Sequence, residues 1–163
     1  MNWQEVCEHP ALQNLPFKIE LNEKGQIVMS PVKVIHSFLQ GKIEQLIRLH
    51  LKDGEAMPEY AVRTAKGTKV VDVAWISTDR LRSVIRETDS PIAPEICVEI
   101  FSDSNTEAEM AEKRLLYFEK GALECWICSE NGEMSFFDPG GPLRRSSLIP
   151  AFPKTIDIAK DFG

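Results

Sequence analysis

Two carboxylates lie in the most apolar strand-like segments of the chain. Asp72 falls in the run 69–76, where strand alternation groups its side chain with apolar neighbours, and Glu99 falls in the equally apolar run 95–101. An ionised carboxylate is costly in such surroundings unless a cation pairs with it. Two interpretations stand at this point. Either the acids hold a metal ion, or each is neutralised by a nearby Arg or Lys or points into solvent at a strand end.

Lys113 is the third residue whose position suits chemistry. Glu99 lies about 10 Å before the end of its strand, and Lys113 lies about 10 Å into the helix that begins at Thr106. If this helix folds back over the strand, the lysine reaches the glutamate, because helical side chains lean toward the helix N-terminus. The alternative is an ordinary ion pair with Glu109, one helical turn earlier, which contributes only ~0.2–0.5 kcal/mol.

Two acids and a lysine suit the hydrolysis of phosphodiester bonds. Carboxylate oxygens bind a hard divalent cation such as Mg²⁺ or Mn²⁺, and the backbone carbonyl of Ile100 is a candidate for a further ligand. The cation lowers the pKa of a bound water. A lysine orients the nucleophile or neutralises the charge of the transition state. The residue set Asp72, Glu99 and Lys113 is therefore a candidate catalytic centre.

The apolar periodicity predicts one α/β domain over residues 1–163. After a short N-terminal helix the order is ββ-α-ββ-α-β-α-ββ, with strands at 17–21, 26–29, 57–63, 69–76, 95–101, 123–128 and 134–137, and helices at 34–51, 78–87 and 106–120. The strand 95–101 is apolar on both faces apart from its acids, which is typical of a central strand. We therefore expect a mixed β-sheet flanked by helices.

Charge is unevenly distributed along the 163 residues, whose net charge is −6. Residues 60–86 hold six Lys or Arg against two Asp or Glu, whereas residues 87–139 hold three against thirteen. The basic stretch is either a nucleic-acid-facing surface or a solvated charged surface; its members are Arg63, Lys66, Lys69, Arg80, Arg82 and Arg86. No apolar run approaches ~20 residues, and the N-terminus lacks a secretory pattern. We expect no membrane span and a cytoplasmic protein.

Several motifs together resemble a known family. They are Asp72 on its strand, the run 98–106 (VEIFSDSNT), the run 112–122 (EKRLLYFEKGA) and the run 124–127 (ECWI). In this combination the chain resembles the bacterial Uma family of candidate restriction endonucleases, within the PD-(D/E)xK nuclease superfamily. The resemblance extends over nearly the whole chain, and its most specific part runs from Glu99 to Gly121.

The resemblance implies a restriction-endonuclease-like fold and assigns roles to individual residues. Asp72 and Glu99 would bind the metal, and Lys113 would be the catalytic lysine, replacing the one expected two residues after Glu99. Glu20 and His36 match positions that line the same cleft in relatives. The chain departs from the family pattern at Val71, where a proline commonly precedes the aspartate, and at Asp103, where Ser-Pro-Ser is usual. Val71 should be harmless to a metal site, and Asp103 adds a negative charge near the start of the helix at Thr106, which is locally favourable but does not attract phosphate.

These observations support one leading hypothesis and one rival. The leading hypothesis is an endonuclease that depends on Mg²⁺ or Mn²⁺ and hydrolyses DNA. The rival is a non-catalytic nuclease-like module for binding or dimerisation, in which the carboxylates are structural; the acidic stretch 87–138 favours it, since it is a poor partner for DNA. A homodimer is compatible with both.

Overall fold

The structure is a computed structural model that describes residues 1–159. In chain order it contains helix α1 (Trp3–Glu8), strands β1 (Phe17–Leu21) and β2 (Ile27–Pro31), helix α2 (Val34–His50), strands β3 (Gly54–Thr64) and β4 (Gly67–Ser77), helix α3 (Thr78–Val84), strand β5 (Ile96–Phe101), helix α4 (Glu107–Glu119), and strands β6 (Glu124–Ser129), β7 (Met134–Asp138) and β8 (Gly141–Leu143). None of the helices in the described part is long and apolar enough to cross a membrane.

Six strands form one mixed sheet. Its spatial order is β3-β4-β5-β6-β7-β8; β5 and β6 are parallel, and the other neighbouring strands pair antiparallel. This arrangement confirms the predicted α/β class. The strand β8 was not expected from the sequence, because its three residues are too few to show alternation. Strands β1 and β2 form a separate antiparallel hairpin.

The central strand β5 separates two apolar cores. On one side Val98 packs with the α2 residues Leu39 and Ile43 and with aromatic residues of the C-terminal segment. On the other side Cys97 packs in a core that includes Tyr117 of α4. Strand alternation explains this division, because adjacent side chains point to opposite faces. Glu99 shares its face with Cys97 and is therefore directed toward α4.

Two local features hold α4 and the hairpin in place. The hydroxyl of Thr106 accepts the backbone N–H of Glu109 at 3.1 Å, which caps the start of α4. Gly67 forms the turn between β3 and β4 with a φ of +88°, and a Cβ atom there would collide with the backbone carbonyl oxygens of Leu21 and Asn22. The turn can therefore pack directly against the end of β1, and this contact positions the hairpin beside the main sheet.

Candidate active site

Asp72 lies where β4 and β5 separate. The ladder between these strands ends at the pair Val73–Val98, and Asp72 Oδ2 accepts the backbone N–H of Ile100 at 2.8 Å. Gln40 of α2 donates to the backbone carbonyl of Asp72, also at 2.8 Å. The carboxylate thus satisfies a backbone donor that the diverging strands leave without a ladder partner. This contact fixes the orientation of the Asp72 side chain.

Glu99 follows the last pair of the β4–β5 ladder and still pairs with Ile127 of β6, and only 4% of its surface is exposed. Its Oε1 atom accepts the phenolic O–H of Tyr117 from α4 at 2.6 Å. Burial, together with the negative charges of Glu99 and Glu20, raises the pKa of Tyr117 well above its ordinary value. The phenol therefore keeps its proton and holds one oxygen of Glu99 in place.

Glu20 brings a third carboxylate to the same place from the hairpin. Its Oε2 atom accepts the backbone N–H of Val70 at 2.7 Å, which ties β1 to β4. The ammonium group of Lys113 donates to Oε1 and Oε2 of Glu20 at 2.9 and 3.0 Å. Lys113 therefore crosses from α4 to β1 and forms a nearly symmetrical charge-assisted contact.

Two ammonium groups stand among these three carboxylates. Lys18 Nζ lies 3.0 Å from Asp72 Oδ1 and 3.2 Å from Glu99 Oε2. Lys113 Nζ lies 3.6 Å from the same Glu99 oxygen. Burial acts to lower the pKa of Lys18, but the surrounding carboxylates outweigh burial and raise it well above the ordinary lysine value. Lys18 is therefore charged at neutral pH.

These groups line a cleft of about 240 Å³ that also receives residues from β2, α2 and α4. Four lysines and seven Asp or Glu residues contribute to its walls. The cleft is therefore negatively charged although two of its lysines reach the base. Negative charge of this kind attracts cations and repels phosphate groups.

Comparison with known proteins identifies the family. A family model described as "Uma2: Putative restriction endonuclease" matches residues 3–160, which is nearly the whole chain. The chain belongs to the Uma2 family. Among solved structures, the Uma2 chain is similar to one described as a putative nuclease belonging to DUF820 from Anabaena variabilis ATCC 29413, with 19% identity, a TM-score of 0.68 and coverage of 99% of this chain and 97% of that chain. This likeness supports the fold. No curated protein matches the chain.

The structure brings four of the predicted site residues together: Lys113 contacts Glu20 and Glu99, and Asp72 is connected to Glu99 through Lys18. His36 lines the same cleft from α2. Its Nε2 atom is buried without a hydrogen bond among residues 1–159 and lies 3.6 Å from Glu130 Oε1. The predicted folding of α4 over β5 is thus observed, whereas the catalytic roles stay predictions.

The predicted basic surface is divided by the fold. Lys66 and Lys69 line the cleft, where Lys66 pairs with Glu112. The other members lie outside the cleft lining: Arg63 pairs with Asp89 at 2.9 Å, Arg80 pairs with Glu95 at 2.8 Å, Arg82 lies 3.7 Å from Asp79, and Arg86 is exposed. Two of the six members of the basic stretch therefore line the cleft, four lie outside its lining, and a role in binding nucleic acid stays a prediction.

Sequence reasoning missed two residues of the site. Lys18 precedes Glu20 by two positions on an alternating strand, so the pair had to share one face. Tyr117 follows Lys113 by one helical turn and therefore lies on the same side of α4. Both signals were present in the Uma2 sequence. These patterns identify Lys18 and Tyr117 as site residues only when it is known that the hairpin and α4 both contact Glu99.

The carboxylates of the site fit a divalent cation by their chemistry. Asp72 Oδ1 and Glu99 Oε2 converge on a single positive charge, the ammonium group of Lys18. Hard oxygen ligands of this kind are those that Mg²⁺ and Mn²⁺ prefer. Within residues 1–159, however, no group of three or more His, Cys, Asp or Glu side chains is arranged as a metal site. The acids of the Uma2 chain are suitable ligands, and Lys18 stands between them.

Proposed function

We propose that the protein is a metal-dependent endonuclease that hydrolyses phosphodiester bonds, with DNA as its substrate. The observation that carries this proposal is the convergence of Asp72 Oδ1 and Glu99 Oε2 on one cation at the base of a cleft, 3.0 and 3.2 Å from Lys18 Nζ. Membership of a family described as "Putative restriction endonuclease" supports the same reaction class. The fold alone would not, because one fold can carry many functions.

Asp72, Glu99 and the backbone carbonyl of Ile100 would hold a Mg²⁺ or Mn²⁺ ion. When bound, such an ion supplies an activated water and neutralises charge at the scissile phosphate. Asp72 is oriented for this task by the N–H of Ile100, and Glu99 is oriented by the phenol of Tyr117. Both carboxylates are therefore positioned before any ligand arrives, which limits the reorganisation needed for catalysis.

Lys113 would act on the reacting groups with its ammonium. Glu20 holds this ammonium at 2.9 Å, and Glu99 lies 3.6 Å away. A charge held in this position can orient the attacking water or stabilise negative charge that develops on the phosphate. Glu20 is then a positioning residue, because it acts through Lys113.

The negative cleft accounts for the expected dependence on metal. Seven Asp or Glu residues against four lysines repel a phosphate backbone, so nucleic acid needs a bound cation to enter productively. Lys66 and Lys69 are the members of the basic stretch best placed to contact a backbone in the cleft. Arg63, Arg80, Arg82 and Arg86 would contribute farther from it. A homodimer would present two clefts to the two strands of a duplex.

Cleavage of single- and double-stranded DNA, with RNA of the same sequence alongside, tests the proposal in Mg²⁺, Mn²⁺ or EDTA. We expect cutting of DNA with either metal, no cutting in EDTA, and a loss of at least about 100-fold in Asp72→Asn and Lys113→Met. The matched controls Asp79→Asn and Lys24→Met change exposed residues and should cut within about twofold of wild type. Preferential cutting of RNA would correct the substrate.

A second candidate function is a non-catalytic binding or dimerisation module. It is favoured by one observation: Lys18 and Lys113 already pair with all three carboxylates, so the cluster is balanced to within one charge without any metal. Under this function, wild type would cut no substrate with either metal. Cutting that is unchanged in Asp72→Asn and Lys113→Met would also contradict the proposed nuclease site.

A further inference from the structure

Lys18 lies at the point where the proposed metal ligands converge. Its Nζ atom is 3.0 Å from Asp72 Oδ1 and 3.2 Å from Glu99 Oε2, and its side chain is 18% exposed. These two oxygens are the ones left after Asp72 Oδ2 binds the N–H of Ile100 and Glu99 Oε1 binds Tyr117. Lys18 therefore occupies the oxygens that would otherwise be available for a metal ion.

We propose that Lys18 is an internal counter-ion that holds the Asp72–Glu99 pair in the metal-free protein and is displaced when a divalent cation binds. This inference rests on the proposed function, since it concerns the same two ligands. It assigns Lys18 a positioning role that is distinct from the role of Lys113. The metal-free site is kept in shape by the lysine, and metal affinity is reduced by the same lysine.

A divalent ion that binds between Asp72 Oδ1 and Glu99 Oε2 needs the place that the Lys18 ammonium group takes. A Mg²⁺ ion binds carboxylate oxygen at about 2.0–2.1 Å, inside the volume that Lys18 Nζ takes between Asp72 Oδ1 and Glu99 Oε2 at 3.0 and 3.2 Å. Like charges this close also repel strongly in a partly buried site. Binding of the ion therefore requires that the ammonium moves.

The structure offers the displaced ammonium another partner. Glu20 Oε2 lies 4.0 Å from Lys18 Nζ, on the same strand face. The lysine has a long flexible side chain, so it can turn toward Glu20 or solvent while the backbone of β1 stays in place. The hydrogen bond from Val70 N–H to Glu20 continues to tie β1 to β4 during this change.

The charges of the cluster predict the direction of the effect. Glu20, Asp72 and Glu99 carry three negative charges, and Lys18 and Lys113 carry two positive ones, so the cluster has a net charge of −1. Removal of Lys18 gives −2, which one divalent cation neutralises. Removal of Lys113 gives the same net charge, but Lys18 stays between the two proposed ligands. Comparison of the two variants therefore shows whether metal affinity depends on the position of the lysine between the two ligands or only on the net charge of the cluster.

The test measures binding of Mn²⁺ alone to the intact protein by titration calorimetry. Lys18→Met should bind Mn²⁺ at least about tenfold more tightly than wild type. Lys113→Met should gain at least about threefold less affinity than Lys18→Met, because the Lys113 ammonium contacts mainly Glu20 and lies 3.6 Å from Glu99 Oε2 instead of between the two proposed ligands. Lys18→Arg retains a cation and should not gain affinity. Lys18→Met should also melt at a lower temperature without metal and show a larger Mn²⁺-dependent rise in Tm than wild type.

The outcomes distinguish this inference from the proposed function. If wild type binds Mn²⁺ and Lys18→Met binds it no more tightly, the counter-ion role is wrong and the metal site stands. Equal gains in Lys18→Met and Lys113→Met would show that net charge matters and place does not, which also overturns the inference. Binding by Lys18→Met but not by wild type supports it. If none of the proteins binds Mn²⁺, the proposed metal-dependent function and this inference both fall.

Where Lys18→Met does not fold without metal, Lys18→Gln provides a second variant. Its amide can still donate hydrogen bonds to Asp72 and Glu99 but carries no charge. Circular dichroism shows whether it is folded, and it should show the same tightening of Mn²⁺ binding. If Lys18→Gln binds Mn²⁺ no more tightly than wild type, the proposal that the charged Lys18 ammonium competes with the metal is wrong.

Discussion

Glu95 and Glu99 are buried carboxylates at opposite ends of one strand region, and their partners differ in kind. Glu95 accepts from the backbone N–H and the hydroxyl of Ser77 at 2.7 and 2.9 Å and pairs with Arg80 at 2.8 Å. Glu99 accepts from one phenol, and its second oxygen contacts the ammonium groups of Lys18 and Lys113. Burial is nearly the same, 6% against 4% exposed, so burial does not distinguish the proposed metal ligand Glu99 from Glu95.

Glu95 and Glu99 differ instead in how firmly their hydrogen-bond and ion-pair partners are fixed. A backbone N–H cannot leave, and the planar guanidinium of Arg80 is further held by the backbone carbonyls of Ala93 and Gly121 at 2.9 Å each. Lysine ammonium groups sit on flexible stems and can be exchanged for another cation. Glu124 follows the pattern of Glu95, since it accepts from backbone and neutral side-chain donors. We therefore expect Glu99, whose second oxygen is held by lysines, to be the acid that can exchange its partner for a ligand.

The largest expected difference between the two acids is in catalysis. Glu99→Gln should lose at least about 100-fold of the metal-dependent cleavage, because it removes a proposed metal ligand. Glu95→Gln should retain wild-type cleavage per folded molecule, since its partners lie at the other end of β5. Rates measured at saturating Mn²⁺, corrected for the folded fraction, check this. Equal losses in the two variants would remove the distinction.

For the free energy of unfolding we expect the opposite order, with a larger loss in Glu95→Gln than in Glu99→Gln. Glu95→Gln leaves Arg80 and Ser77 without their carboxylate, and removal of one partner of a buried ion pair costs about 3 kcal/mol. Glu99→Gln is expected to cost less, because it leaves two carboxylates against two ammonium groups in the cleft. Urea unfolding of the metal-free proteins measures both free energies. A larger loss in Glu99→Gln would mean that the cleft acids are primarily structural.

A smaller effect is expected when the fixed contact of Glu99 is removed. Tyr117→Phe deletes the O–H that donates to Glu99 Oε1 at 2.6 Å, and a hydrogen bond to a charged group is worth about 1.5–3 kcal/mol. The loss should shrink in the background of Glu99→Gln, where the acceptor is neutral. A double-mutant cycle by urea unfolding gives the coupling. Additive losses would show that the phenol stabilises the core independently of Glu99.

The arrangement of the main elements could be predicted from the sequence, because the signals are local. The alternation in β4 and β5 and the cap at Thr106 identify the elements that carry the site. Rise per residue then places Lys113 level with Glu99, and the observed separation of 3.6 Å between Lys113 Nζ and Glu99 Oε2 agrees with this placement. Local periodicity and element length were sufficient for this part of the site.

The remainder depends on contacts between distant segments. Lys18 reaches the acids only because the hairpin docks where Gly67 permits close approach to Leu21, and strand alternation alone contains no information on that docking. Whether the basic stretch 60–86 faces the site depends on contacts of the same kind. Arg80 is drawn away from it by Glu95, whose position depends on the pairing of β4 with β5.

The smallest expected effect is a difference in pH dependence between the lysine held at Glu99 and the arginine held at Glu95. Because the pKa of Lys18 is raised in the folded protein, its stabilising effect is fully present below about pH 10 and is lost as the pH rises through the raised value. The difference in unfolding free energy between wild type and Lys18→Met should therefore shrink above this pH. Arg80 stays charged there, so the difference between wild type and Glu95→Gln should not change. Urea unfolding between pH 8 and about pH 11 measures both differences, and a parallel decline would show that lysines and arginine hold their acids in the same way.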